Sequence, residues 1–215
     1  FYAFPDTADK KLIDAEIQAA KELGIRFHPC RGAMSLDQSQ GGLPPTNMTE
    51  KDEDILLDYE RLVNTYHDPS PFSMLRIALG PCSPFSVTSN LMKETIKYAR
   101  KHGLYCHTHL AEGNIEDAWS AEAFGMRPFE YIESVDWVGP NVWFAHLTNV
   151  NEDEIRRMGE YKCGVASCPV SNARYGHAIA QILKMNEYGT NVGFGVDGGG
   201  GYGDPRLRDR AVLDR

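Results

Sequence analysis

The sequence contains no apolar run of about 18 residues, the length a membrane-spanning helix needs, so no such span is expected. It has no recognisable secretory leader. It has no excess of positive charge: 22 Lys and Arg stand against 30 Asp and Glu, for a net charge of −8. Nucleic acid is bound by a basic face, so an acidic chain of this kind is not expected to bind it. Disulfide-dense architecture is excluded as well. The five cysteines are odd in number and scattered, and Cys163 and Cys168 do not form a CxxC pair. A reducing cytoplasm is the expected compartment. Internal repeats are missing, as is an initiator Met. The opening Phe1-Tyr2-Ala3-Phe4-Pro5 therefore reads as a fragment or a trimmed product. Low complexity is confined to Gly198–Gly203, and a charged Arg/Asp tail follows it.

What is present is a globular composition, 42% hydrophobic and 24% charged. Six short apolar runs alternate with helical patterns. The runs are Ile25–His28, Arg76–Gly80, Leu104–Leu110, Val142–His146, Gly164–Cys168 and Asn191–Val196. Helices are expected over residues 8–23, 50–66 and 89–101, from Pro128, from the capping-box pattern at Asn151–Glu154 to about residue 160, and over 178–188. Strands alternating with helices imply βαβ units and a parallel sheet. The polar stretch Ser35–Thr46 interrupts the rhythm and reads as a binding loop.

Three of the apolar runs end in residues that a buried strand avoids. His107-Thr108-His109-Leu110-Ala111-Glu112 closes one, His146 closes another and Asp197 closes the last. In a barrel, the C-terminal ends of the strands form the catalytic face. Imidazoles and a carboxylate suit zinc or a similar divalent ion, and a carboxylate outside the ligand set can move protons. A lone His at a strand end is more often structural, and an Asp before glycines more often caps a turn. The chemical reading rests on the three strand ends occurring together.

At these residues the chain resembles the amidohydrolase superfamily and its deaminase branch. His109-Leu110-Ala111-Glu112 resembles the family's fifth-strand His-x-x-Glu motif, His146 its sixth-strand histidine, and Gly195-Val196-Asp197-Gly198 its eighth-strand aspartate motif. Further motifs place the chain near 8-oxoguanine deaminases and hydroxy-triazine hydrolases within that branch. They are Phe27–Ser35, Gln38–Pro45, Pro81–Thr88, Trp143–His146 and Cys168–Arg174.

The resemblance implies an α/β fold, a (β/α)8 TIM-type barrel of which about strands 3 to 8 are present. Residues 1–198 would form the partial barrel and residues 199–215 a Gly-rich, charged tail. One divalent metal is implied, most often Zn2+, with Fe2+ as the alternative. His109 and Asp197 would be metal ligands, and Asp197 would also act as base on the attacking water. Glu112 would carry a proton to the substrate ring, and His146 would position the water. Arg31 would read the carbonyl edge of a small heterocyclic substrate, with a loop ion pair as its other reading. His107 is either a residue behind the ligands or, with His109, a first-strand His-x-His. The implied reaction is hydrolytic deamination of an oxidised purine such as 8-oxoguanine, with ammonia released. Alternatives are hydrolysis of a triazine or pterin, or an inactive truncated product. A homo-oligomer is left open.

The chain departs from the family pattern by lacking a second His-x-His. His28, His67, His102 and His177 are isolated in sequence. Two ligands of four bind metal poorly, so the isolated chain is expected to be inactive or nearly so.

Overall fold

A computed structural model describes residues 11–198. The tail read at 199–215 and the first residues of the expected 8–23 helix lie outside the described residues. The described chain falls into two compact units. One runs to Thr108 and includes Ser134–Trp137. The other comprises His109–Glu133 and the chain from Val138.

In the first unit, α1 (Leu12–Leu23) buries Ile13, Ile17 and Ala20 and stops at Gly24, whose φ of 68° suits a residue without a side chain. Strand β1 (Cys30–Ala33) leads through two single 3₁₀ turns, Gln38–Gln40 and Thr46–Met48, into α2 (Asp52–Tyr66). Strand β2 (Ala78–Pro81) follows, then α3 (Ser89–His102). The Thr88 hydroxyl caps α3 by accepting the N–H of Leu91 at 3.0 Å. Strand β3 (Tyr105–Leu110) begins in this unit, and its last two residues belong to the other. The strands are parallel, with Cys30 opposite Ala78 and Ala78 opposite Tyr105. Ile55, Tyr59, Leu62, Ile77, Leu79, Leu91 and Met92 are fully buried. Each such aliphatic side chain contributes about 1.5–3 kcal/mol. Trp137 joins them and donates its indole N–H to the Met92 carbonyl at 2.6 Å, so its one polar atom is satisfied.

In the second unit, β3 exits into α4 (Asn114–Phe124), and α5 (Pro128–Ser134) begins with its Pro at a tolerated first-turn position. Strand β4 (Val142–His146) precedes α6 (Glu152–Tyr161). The capping box expected there is formed. Asn151 accepts the N–H of Glu154 at 2.9 Å, and Glu154 accepts that of Asn151 at 2.7 Å. Strand β5 (Gly164–Ser167), α7 (Pro169–Tyr175), α8 (Ile182–Glu187) and β6 (Asn191–Phe194) complete it. β4, β5 and β6 pair in parallel in chain order. Phe129, Phe144, Ile155, Met158 and Met185 fill the core, with Phe129 edge-on to Phe144. Gly159 on α6 lets the backbone of Tyr188 approach, since a Cβ there would stand 1.9 Å from its carbonyl oxygen.

The class is α/β, with the strand-helix repeat of a partial (β/α)8 barrel. All five cysteines are free thiols. Among the described residues no helix is long and apolar enough to cross a membrane. The largest shift from an expected place is at the first strand, and α8 also starts four residues late. The first strand lies at Cys30–Ala33 rather than Ile25–His28, where only a single bridge joins Phe27 to Leu75. The charged Arg31 disguises the strand, and the fold neutralises that charge. The Arg31 guanidinium donates to Glu50 at 2.9 and 3.0 Å and to Asp58 at 2.7 Å. Two helices went unread in the sequence. α4 has no apolar stripe, and of its residues only Glu116 and Ser120 are buried; α7 is only seven residues long.

Candidate metal centre

Three strand exits build the site. β3 delivers His109, and the chain then turns through Ala111, whose φ is +50°, to Glu112. β4 ends on His146, where φ is +73°, followed by Leu147 at +52°. Past β6, Asp197 adopts a φ of +62°. Positive φ is uncommon outside glycine and costs about 1–3 kcal/mol where it is strained, so the surroundings must hold it. They do so at the β3 and β4 exits. The N–H of Leu147 donates to the Leu110 carbonyl at 3.1 Å, and that of Thr148 to the Ala111 carbonyl at 2.9 Å. The Thr148 hydroxyl donates to the Glu112 carbonyl at 2.8 Å. These bonds fix the His109–Glu112 segment against His146.

The result is a convergence. One ligand atom each from His109, His146 and Asp197 lies within 4.8 Å of the others. The two imidazoles stack with ring centroids 5.3 Å apart. Glu112 stands beside them, its Oε2 3.7 Å from His146 Nε2. Two of the three cluster residues are clamped from one segment. The Ser171 hydroxyl donates to Asp197 Oδ2, and Asn172 Oδ1 lies 2.8 Å from His146 Nδ1. With the amide oxygen as acceptor, Nδ1 carries the proton and Nε2 keeps its lone pair on the cluster side. Both clamping residues are buried.

The electrostatics match that arrangement. Burial works against the charged form of Asp197. The Ser171 hydroxyl, the Gly198 N–H and the neighbouring His146 and His109 outweigh it and hold the carboxyl below its ordinary pKa. Cys168 lies nearby, but burial first and then the charges of Asp197 and Glu112 push its thiol up to about 11. Without a bound ion it is therefore a neutral thiol. Behind Glu112 lies Glu116, which accepts the Glu112 N–H at 2.9 Å. Burial pushes its carboxyl up to about 7, against the backbone N–H groups of Glu112 and Ala111.

The structure thus brings together His109, Glu112, His146 and Asp197. His107 is buried and is not one of the three converging ligands. Arg31 forms the ion pair of its other reading: it is 0% exposed and bound to Glu50 and Asp58. Sequence reasoning gave no role to Ser171, Asn172, His177 or Glu116. The first two stand inside the motif Cys168–Arg174, the only prior signal. His177 read as an isolated histidine, yet its Nδ1 lies 3.8 Å from Glu112 Oε1.

Comparison with known proteins agrees with this geometry. The chain matches the amidohydrolase family over residues 1–212. It is 41% identical over 197 residues to the 8-oxoguanine deaminase of Pseudomonas aeruginosa, covering 92% of this chain and 44% of that protein. It is 38% identical over 187 residues to the hydroxydechloroatrazine ethylaminohydrolase of Pseudomonas sp. strain ADP, covering 87% and 38%. Among solved structures it is similar to the atrazine chlorohydrolase of Arthrobacter aurescens TC1 complexed with zinc. That likeness has a TM-score of 0.89 and 32% identity, over 93% of this chain and 44% of the other. The chain therefore spans about half the length or less of the curated relatives it matches. Parallel strands whose exits gather two histidines, an aspartate and a glutamate, together with a family match over almost the whole sequence, establish that the chain belongs to the amidohydrolase family.

Proposed function

We propose that the full-length protein carrying this chain is a metal-dependent aminohydrolase that deaminates an oxidised purine of the 8-oxoguanine kind. The observation that carries this reading is the convergence of His109, His146 and Asp197 beside Glu112. Two imidazole nitrogens and an ionised carboxylate form a donor set suited to Zn2+, with Fe2+ as the alternative. His109 and Asp197 would hold the ion, and His146 offers Nε2 to the same point. When bound, such an ion lowers the pKa of a water from about 16 towards about 7 and polarises the group under attack.

The protein's own side chains do the remaining work. Asp197, kept ionised by Ser171 and Gly198, accepts a proton from the attacking water. His146, its tautomer set by Asn172, keeps Nε2 as an acceptor that positions the water. Glu112 carries a proton to the ring nitrogen as the water oxygen bonds to the adjacent carbon. The proton taken by Asp197 then passes to the amino group, the carbon–nitrogen bond breaks and ammonia leaves, and the hydroxyl proton returns to Glu112 as the ring carbonyl forms. Similarity to the 8-oxoguanine deaminase supports the purine substrate. A second reading, hydrolysis of a substituted triazine, is supported by the likeness to the triazine enzymes and uses the same residues with a different leaving group.

Metal content and ammonia release, measured together on the full-length protein, test the proposal. About one ion per chain with ammonia from 8-oxoguanine is the expected result. Metal without ammonia moves the assignment to a triazine and pterin panel. A folded protein that binds no divalent ion overturns the roles of His109, His146 and Asp197.

A further inference from the structure

We propose that His177 is a positioning residue for Glu112, holding one carboxylate oxygen so that the other is presented to the reacting atoms. The inference rests on the proton-carrying role given to Glu112 above. Glu112 stands between two histidines: Oε2 faces His146 Nε2 at 3.7 Å, and Oε1 faces His177 Nδ1 at 3.8 Å. His177 Nδ1 is buried and makes no hydrogen bond, although the residue as a whole is 30% exposed at its side chain. A buried polar atom without a partner costs about 1–3 kcal/mol, and with the ring proton on Nδ1 the group that relieves it is the Glu112 carboxylate.

The surroundings aim the ring at that carboxylate. The N–H of His177 donates to the Asn172 carbonyl at 2.8 Å, just after Gly176 has turned the chain out of α7 with a φ of +72°. Gly113, the neighbour of Glu112, leaves room for the ring, since a Cβ there would lie 3.2 Å from His177 Nε2. Ser171, Asn172 and His177 thus each face one member of the site: Asp197, His146 and Glu112. A contraction of under about 1 Å closes the last of these contacts to an ordinary N–H···O distance. Catalytic hydrogen bonds are often long without substrate and tighten in the complex.

His177 acts through Glu112, so its loss is expected to lower kcat and leave KM nearly unchanged. In the metal-loaded full-length protein, H177L is expected to reduce kcat roughly 10- to 100-fold, the scale of a misplaced catalytic group. H177N, whose side-chain amide can place a donor near the position of Nδ1, is expected to recover much of that loss. A readout independent of turnover is the ring ¹⁵N shift of His177, read by NMR in the wild type and in E112Q. A change confined to Nδ1 is expected. Unchanged ring shifts in E112Q, an unchanged kcat in H177L, or a KM defect at constant kcat would each overturn the proposal. An active wild type with any of these results rejects the role of His177 alone. A metal-loaded wild type inactive on every heterocycle rejects the deaminase reading, and the role of His177 with it.

Discussion

Arg31 and Glu116 are both buried charged residues, and the fold resolves the two cases in opposite ways. Arg31 keeps its charge because Glu50 and Asp58 supply two carboxylates. Removing it would strand both acids in a buried setting, which costs about 3–5 kcal/mol. R31M is therefore expected to lower the urea midpoint strongly, while KM in any surviving folded fraction stays unchanged. A normal midpoint with a raised KM would return Arg31 to the substrate. Glu116 is instead held by burial, which raises its carboxyl to about 7, above the usual 4.5. An acid whose folded pKa is raised stabilises the fold fully below its unfolded pKa and loses that contribution as pH rises through the folded value. Relative to E116Q, the wild type is expected to lose stability between about pH 4.5 and about pH 7. Parallel melting curves for the two across that window would deny the burial argument. At this scale the sequence made the converging residues visible, because His109, His146 and Asp197 close apolar runs. Ser171 and Asn172, which bond Asp197 and His146, were hidden, because they sit in a short helix where polar residues are ordinary.

Helix α6 shows how far local sequence determines an element. Asn151 and Glu154 satisfy each other's backbone donors, and Glu154 also receives the Arg127 guanidinium at 2.7 Å. N151A is expected to cost about 1 kcal/mol, read as a lowered midpoint with an unchanged denaturant slope. No measurable loss would mean that tertiary packing alone fixes the start of α6. Elements with caps, such as α3 and α6, and strands of apolar residues, such as β4, were legible for this local reason. β1 was not, because its buried charge is balanced by partners 19 and 27 residues away in the chain. α4 was not, because its buried face carries Glu116 and Ser120 instead of an apolar stripe. The fold class was readable from the alternation of strand and helix, which survives such local errors.

At the scale of the molecule, His109, Glu112, His146 and Asp197 all belong to one compact unit, and the Arg31 cluster belongs to the other. Chelation of a bound ion is therefore expected to act unevenly. Hydrogen exchange should quicken at the ends of β3 and β4 and beyond β6, while α2 and β1 keep their protection. Uniform acceleration across both units would show that the ion supports the whole fold. The segment from Ser171 to His177 carries a further consequence. A helical residue occupies about 100° of turn. One residue inserted or deleted between Asn172 and His177 would swing the ring away from Glu112 while Ser171 and Asn172 kept their own partners. A change of length there, rather than of composition, would thus separate proton transfer from metal holding, and natural variation in the length of this short stretch would mark members of the family whose chemistry has changed.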